Sequence, residues 1–127
     1  MEKMEMTLNE YQERAMSTCM PSCKNFSYMI LNLVGEVGEL ASKVAKDIRR
    51  EYAHIAYDNL EYYSESDWDM AKTKHAQEIG DCLWMIAGLA EAYGFNLEEI
   101  AQMNLDKLAA RKAAGTIDGN GDGIYNR

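Results

Sequence analysis

Two pairs of acidic residues are the part of this sequence best suited to chemistry. Glu36 and Glu39 lie three positions apart, and Glu78 and Asp81 repeat the same spacing. Residues three apart share one face of an α-helix, with Cβ atoms about 5–6 Å apart, so each pair can present two carboxylates to one point. Two such helices facing each other would form a cage of four carboxylates suited to Mg²⁺ or Mn²⁺. Because Mg²⁺ commonly shares its coordination with substrate phosphates, the pairs indicate phosphate chemistry.

Acidic residues on helices ordinarily form a solvated surface, and that interpretation competes with the metal site. Here the pairs border apolar runs, at residues 31–40 and 82–86. Carboxylates next to so much apolar surface should be partly buried, and a buried acid needs a cation or a hydrogen-bond partner. Glycines also interrupt both helices beside the acids, although each costs about 1 kcal/mol relative to alanine. We therefore expect a backbone or a ligand to approach closely at Gly35, Gly38 and Gly80.

Composition bounds the remaining functions. The 127 residues fit one domain, which we expect to span residues 1–127 with a glycine-rich tail from about residue 115. The 13 basic and 21 acidic residues give a net charge of −8, which excludes a non-specific nucleic-acid binder because it leaves no basic surface for phosphates. No run approaches the roughly 20 apolar residues of a membrane span. We therefore predict a cytoplasmic protein with no membrane and no nucleic-acid partner.

A zinc site is the alternative metal centre. Cys19, Cys23 and Cys82 are odd in number and show no scaffold spacing, so reduced thiols are expected. A site that combines Cys19 and Cys23 with His54 and His75 would match no standard zinc-ligand spacing. The sequence therefore favours the acidic pairs.

Capping residues and apolar periodicity predict the first two helices. A capping box at residues 7–10 opens a helix from about Leu8 to about Cys19, and Pro21 then interrupts the chain. Apolar residues spaced by three or four from about residue 25 to residue 48 predict a second helix with one buried stripe.

The rest of the chain is predicted to be helical as well. Residues 50–66 are rich in tyrosine and acids without a clean period, so they either extend the second helix or form an irregular excursion. Ser66 resembles an N-cap and predicts a third helix that ends at Gly94. A capping box at residues 96–99 opens a fourth helix, which ends near Gly115. No strand-like alternation is present, so the predicted fold class is all-α, a four- to five-helix bundle.

The acidic pairs and the C-terminal part of the chain resemble a known family. Residues 33–40 and 78–84 resemble the signature of the MazG-like, all-α nucleoside triphosphate pyrophosphohydrolases. Residues 104–108, 111–112 and the glycine-rich residues 119–122 resemble the C-terminal part of the phage and bacterial MazG-like branch. The resemblance implies a MazG-like bundle that is completed by oligomerisation to a homodimer or homotetramer.

The resemblance covers about residues 11–122 and is weakest between residues 50 and 74. It implies a Mg²⁺-dependent enzyme, with Mn²⁺ as a substitute, that cleaves a ribo- or deoxyribonucleoside triphosphate between its α and β phosphates. The products would be a nucleoside monophosphate and pyrophosphate, and the role would be house-cleaning or control of the nucleotide pool. The implied metal ligands are Glu36, Glu39, Glu78 and Asp81. Glu39, acting with Glu36, is the candidate for orienting or deprotonating the attacking water.

The same resemblance implies a set of substrate-binding residues. Lys107 and Arg111 lie four apart and could clamp phosphate oxygens, although cations near a helix C-terminus also complement the helix dipole. Trp84 could form a wall of a base pocket, although an aromatic residue beside an apolar run more often belongs to the core. The full set is Lys107, Arg111, Asn104, Lys46 and Trp84.

Two other interpretations stay open. A non-catalytic helical binding module could keep the acidic metal site for structure. Residues 118–123 also read like the first half of an EF-hand calcium loop, but no residue up to 127 supplies the acid of the twelfth loop position. Gly35 stands where some relatives carry an acid, so the number of metal ions stays open. The residues do not define the base or the sugar of the substrate.

Overall fold

The computed structural model describes residues 5–115. In this part of the chain, four α-helices are joined by short connections and one β-hairpin. The elements are α1 (Leu8–Met16), α2 (Phe26–Arg49), β1 (Ala53–Ala56), β2 (Asn59–Tyr62), α3 (Glu65–Ala92) and α4 (Leu97–Ala113), with a 3₁₀ turn at Pro21–Cys23. The predicted all-α class with about four helices is confirmed. The EF-hand-like loop and the glycine-rich residues 119–122 lie outside the described residues.

Each helix begins at a side chain that accepts a hydrogen bond from the backbone N–H three residues further on. The four caps are Thr7, Asn25, Ser64 and Asn96. At Asn96 the arrangement is reciprocal, because Glu99 Oε1 also accepts from Asn96 N at 2.9 Å. These side chains satisfy donors that a helix N-terminus leaves unbonded, and they explain why most predicted helix starts agree with the structure.

Two predicted helix boundaries are wrong. α1 ends at Met16, three residues earlier than predicted, because the hydroxyl groups of Ser17 and Thr18 donate to carbonyls of its last turn at 2.5 and 2.6 Å. α3 is capped by Ser64 and not by Ser66: the Oγ of Ser64 accepts from the N–H three residues on at 3.1 Å. An N-cap residue needs an extended backbone, and Ser64 inherits one from the strand before it.

Residues 50–66 form neither a helix extension nor an irregular loop. β1 and β2 pair as an antiparallel hairpin, with Ala56 opposite Asn59 at the turn end. The turn residues Tyr57 and Asp58 have φ values of 51° and 68°, in the left-handed region that a tight two-residue turn requires. Neither residue is a glycine and each strand has only four residues, so the sequence carries little hairpin signal. The expectation that no strand occurs is therefore wrong.

Tyr62 ties the hairpin to both long helices. Its hydroxyl group donates to Asp47 Oδ2 on α2 at 2.6 Å, and its ring centroid lies 5.3 Å from that of Trp68 on α3. Burial and the hydrogen bond with Asp47 raise the pKa of Tyr62 above its ordinary range, so the phenol keeps its proton at neutral pH. Asp47 also lies 3.3 Å from Nε2 of His75 on α3. The hairpin thus closes one end of the α2–α3 pair.

Most of the buried apolar residues collect at the other end of this pair. The cluster comprises Ala15, Met16, Cys19, Met29, Met85, Ala87, Ala90 and Leu97. Gln12 of α1 connects its helices through hydrogen bonds: Nε2 donates to Ala87 O at 3.3 Å and to Phe95 O at 3.2 Å, and Oε1 accepts from Leu97 N at 2.8 Å. A buried amide is stable only when it is bonded in this way. The core therefore holds α1, α3 and the start of α4 together.

The apolar stripe predicted along α2 is buried only in part. Met29 is 1% exposed, but Phe26 and Val37 are 47% and 51% exposed. In residues 5–115, α2 packs mainly against α3, and the outer part of its stripe faces solvent. No helix in this range is both long enough and apolar enough to span a membrane.

Met29 and Gly88 form a close contact between α2 and α3. A Cβ atom on Gly88 would lie 2.3 Å from Met29 Sδ, which is far inside van der Waals contact. The missing side chain of Gly88 therefore lets the buried methionine pack directly against the backbone of α3. Such interdigitation fixes how two packed helices are aligned along their length.

Gly88→Ala should destabilise the protein by about 1–3 kcal/mol, because the added methyl group overlaps the buried Met29 side chain. Gly38→Ala is the matched control: a Cβ there meets nothing within 4 Å, so alanine should stabilise the helix by up to about 1 kcal/mol. Urea denaturation followed by circular dichroism measures both changes. Equal effects of the two substitutions would contradict the contact, whereas rescue of Gly88→Ala by Met29→Val would locate the overlap.

Candidate metal centre

Three carboxylates converge between α2 and α3. Oxygens of Glu36, Glu78 and Asp81 all lie within 4.8 Å of one another. Glu36 and Glu78 are half-buried, whereas Asp81 is exposed to solvent. An ion bound at about 2.0–2.6 Å from each oxygen, the usual range for Mg²⁺ and Ca²⁺, could contact all three at this spacing. The predicted convergence of the two acidic motifs is therefore present for three of the four acids.

The alignment of the two helices explains this convergence. α2 and α3 run antiparallel, and Met29 packs against Gly88. Seven residues further along α2 and seven residues back along α3 lie Glu36 and Asp81, so two helical turns carry the chain from the core contact to the acids. Glu78 joins them because it lies three residues from Asp81 on the same helix face. The core contact thus determines which acids meet.

The cluster carries an electrostatic cost at Glu36. Burial raises the pKa of its carboxyl group, and the charges of Asp81, Glu78 and Glu39 raise it further. Burial and the same acidic cluster also raise the pKa of the Cys82 thiol. Lys43 pairs with the cluster, with Nζ 3.5 Å from Glu78 Oε1. All donors are hard oxygens with excess negative charge, so a divalent cation fits them.

Comparison with known proteins agrees with this geometry. The sequence model of the MazG nucleotide pyrophosphohydrolase domain matches residues 24–115. The chain belongs to this family. It is 37% identical over 101 residues to the "Gene 37 protein" of Mycobacterium phage L5, an alignment that covers 80% of this chain and 78% of that protein. No solved structure matches the chain.

The MazG match confirms the resemblance, but it covers a shorter range of residues than the resemblance does. It includes both acidic pairs and the hairpin segment, where the sequence resemblance is weakest. It begins at residue 24 and ends at residue 115, so α1 and residues 119–122 lie outside it. A bundle of the MazG type is thus established for α2, the hairpin, α3 and α4.

Glu39 does not belong to the group of three carboxylates. It is exposed on α2, and its negative charge contributes to the raised pKa of Glu36. Its assignment as metal ligand and as water-orienting base stays a prediction. The expected close approach at Gly38 and Gly80 does not come from the protein itself, because a Cβ there meets no described atom within 4 Å, and approach of a ligand stays a prediction. The protein's own backbone therefore does not require these two glycines for close packing.

The predicted substrate-binding residues lie in several places. Lys107 and Arg111 are half-buried on α4, and Asn104 is exposed on the same helix. Lys46 is exposed on α2, one turn beyond Lys43. None of these residues belongs to the carboxylate group, and their roles stay predictions.

Trp84 has a clear structural environment. Its indole Nε1 donates to Ala15 O at 3.1 Å and to Thr18 Oγ1 at 3.0 Å, and the ring packs against the core. These contacts join α3 to the end of α1 and favour the interpretation of Trp84 as a core residue. A wall of a base pocket stays a prediction for this side chain.

The zinc alternative receives no support from residues 5–115. The potential metal-ligand cluster in this range consists of the three acids. His54 lies on the hairpin and stacks on Tyr63, with ring centroids 4.6 Å apart, whereas His75 faces Asp47. Cys19 is buried in the core, at the other end of the helix pair. The structure therefore separates the residues that a zinc site would need.

Glu36→Gln should stabilise the protein in the presence of a chelator at pH 7.5 by about 0.5–2 kcal/mol, because it removes a destabilised charge. When folding raises the pKa of a carboxyl group, the protein loses stability as pH rises from the group's unfolded pKa, here 4.5, through its higher folded pKa. The stability advantage of Glu36→Gln over the wild type should therefore vanish below pH 4.5. Chemical denaturation across a pH series measures it.

Mg²⁺ should make the wild type more stable than Glu36→Gln, the reverse of their order in the chelator. The ion should raise the melting temperature of the wild type and have much less effect on Glu36→Gln, because binding needs the carboxylate. Glu13→Gln, at an exposed position on α1, is the control and should respond as the wild type does. If Glu36→Gln is less stable than the wild type in the presence of the chelator, the protein's own contacts stabilise the Glu36 carboxylate.

Proposed function

We propose that this chain is a Mg²⁺-dependent nucleoside triphosphate pyrophosphohydrolase. It would cleave a ribo- or deoxyribonucleoside triphosphate between the α and β phosphates to yield the monophosphate and pyrophosphate. The observation that carries the proposal is the convergence of Glu36, Glu78 and Asp81 in a chain of the MazG nucleotide pyrophosphohydrolase family. House-cleaning or control of the nucleotide pool, in the cytoplasm, is the corresponding role.

Glu36, Glu78 and Asp81 would hold the ion, with Glu39 as a fourth ligand or as the base. Mg²⁺, or Mn²⁺ in its place, supplies positive charge that attracts the triphosphate and stabilises the charge that develops on the phosphate under attack. Without such a cation, the acidic surface repels the substrate. The half-burial of Glu36 and Glu78 strengthens these electrostatic effects because it reduces screening by water.

Glu39 is proposed to orient the attacking water and to accept its proton. The water oxygen forms a bond to one phosphorus of the α–β linkage, and the bond from that phosphorus to the bridging oxygen breaks. The bridging oxygen leaves with the other phosphate, and the proton taken by Glu39 passes to solvent. An exposed carboxylate next to the cluster suits this role, because solvent can reach it after each turnover.

Residues on α2 and α4 are proposed to bind the substrate. Lys107 and Arg111 are spaced by four residues and would clamp phosphate oxygens from one face of α4, with Asn104 one turn before them. Lys46 would contribute from α2. Trp84 would contact the base only if its ring edge reaches the substrate from the core.

A homodimer or homotetramer is proposed as the working state. Large apolar side chains stay exposed on three helices of the described chain. They include Leu31, Val34 and Val37 on α2, Ile79, Leu83 and Ile86 on α3, and Met103, Leu105 and Leu108 on α4. Apolar surface of this extent on a small protein commonly marks a protein–protein contact.

Sedimentation velocity should therefore show a dimer or tetramer at micromolar concentration. Val34→Lys should shift the distribution towards the monomer, because Val34 is 67% exposed and a charge there opposes apolar contact. Ser22→Lys, at an exposed position in the 3₁₀ turn before α2, tests charge alone. A wild-type protein that sediments as a monomer at all concentrations would contradict the proposal.

Pyrophosphate release tests the activity itself. The wild type with Mg²⁺ should release pyrophosphate from at least one member of a panel of ribo- and deoxynucleoside triphosphates. Glu39→Gln and Asp81→Asn should each reduce kcat/KM about 100-fold or more, the scale of losing a charge-stabilising group. Asp69→Asn removes an exposed acid that pairs with Lys72 on the same helix, at 3.2 Å, and should retain full activity.

The outcomes separate the two candidate functions. Loss of activity in both site variants, with the control unaffected, would support the enzyme and rank its substrates. A folded protein that binds Mg²⁺ but turns over none of the panel would support a non-catalytic module with a structural metal site.

A further inference from the structure

A small basic cavity lies between α2 and α3, on the hairpin side of the carboxylates. Its volume is about 150 Å³. Four cations line it, although the whole chain has a net charge of −8. These are Lys43 and Lys46 on α2, Arg50 directly after the end of α2, and Lys74 on α3. Such a concentration of positive charge in an acidic protein needs a physical reason.

The helix alignment places this cavity directly beside the candidate metal centre. Seven residues beyond Glu36 along α2 lies Lys43, and seven residues before Asp81 on α3 lies Lys74. This step corresponds to about 10 Å along a helix axis. Lys43 spans the interval, because its Nζ lies 3.5 Å from Glu78 Oε1 while the residue also lines the cavity. The acids and the cations are therefore consecutive parts of one groove.

The positive charge of the cavity is available to a ligand. Lys46, Arg50 and Lys74 form no ion pair with a carboxylate of residues 5–115. Asp47, the acidic residue in the lining, is engaged elsewhere, since it accepts a 2.6 Å hydrogen bond from the Tyr62 hydroxyl group and faces His75 at 3.3 Å. Four cations against the single carboxylate of Asp47 leave the lining with a net positive charge, and an anion between the cations would relieve their mutual repulsion.

The size of the cavity restricts the anion. Pockets for drug-sized ligands usually measure about 300–1,000 Å³, so 150 Å³ is too small for a nucleoside. It exceeds the roughly 30 Å³ of one water several-fold. A compact phosphoanion with several negative charges is the ligand class that fits both the volume and the charge.

We propose that this cavity binds the β and γ phosphates of the substrate, the half that is released as pyrophosphate. The inference rests on the proposed pyrophosphohydrolase function. It gives the substrate a direction: the scissile linkage lies at the carboxylates, the pyrophosphate half extends towards the hairpin, and the nucleoside extends the opposite way. Lys43, Lys46, Arg50 and Lys74 would bind the phosphate oxygens.

Product inhibition separates the two halves of the substrate. Arg50→Ala and Lys74→Met should each raise the inhibition constant of pyrophosphate about tenfold, the scale of losing one charge-assisted hydrogen bond, and leave that of the nucleoside monophosphate within about twofold. Arg49→Ala and Lys72→Met, adjacent cations outside the lining, are the matched controls and should change neither constant. Melting temperatures close to that of the wild type would show that the variants fold.

Calorimetric titration with imidodiphosphate in the presence of Mg²⁺ tests the site without turnover. The wild type should bind this uncleaved analogue, and both cavity variants should bind it about tenfold more weakly. If the wild type hydrolyses nothing but this pattern holds, the anion site stands and only the enzyme assignment fails. Hydrolysis without any effect of the variants on pyrophosphate would overturn the inference, and so would a selective loss of monophosphate inhibition.

Discussion

The packing of Met29 against Gly88 is the contact on which the remaining arrangement depends. It aligns α2 with α3, and every pair of facing residues further along follows from that alignment. The acids meet because they lie two turns from the contact, and the cations meet because they lie four turns from it. Gly88, in a buried part of α3, is thus needed to align acids and cations that lie two and four turns away.

The residues that stabilise the fold and the candidate functional residues lie on different stretches of α2 and α3. The apolar cluster lies at the end where α1 and α4 join α3, while the carboxylates lie in the middle and the hairpin closes the far end. In the middle, burial and the neighbouring negative charges raise the pKa of Glu36, so the charged form of this side chain opposes folding. A small domain buries a limited fraction of its surface, so its margin of stability is narrow. Cation binding, anion binding and association of subunits would each add to that margin.

The sequence predicts what local rules determine and misses what depends on alignment. Caps such as Thr7 and Asn96 fix helix starts through neighbouring residues, and the spacing of Glu78 and Asp81 fixes a shared face. The hairpin turn at residues 57–58 has no glycine, so it could not be recognised from its residues. The basic cavity as a whole could not be predicted, although Lys46 was, because its cations come from two helices and become neighbours only after those helices pack. Glu39 follows the spacing rule yet lies outside the carboxylate group.

The two ends of the hairpin segment lie next to each other, beside the α2–α3 pair. Tyr63 N donates to Tyr52 O at 3.0 Å, so the chain ends of this excursion are held together whatever lies between them. The turn at residues 57–58 is exposed to solvent. Exposed turns of this kind tolerate added sequence better than helix interiors do. The tip of the hairpin is therefore the natural place to splice in a fluorescent reporter or an affinity handle, and it is also where related chains can differ in length without moving the groove.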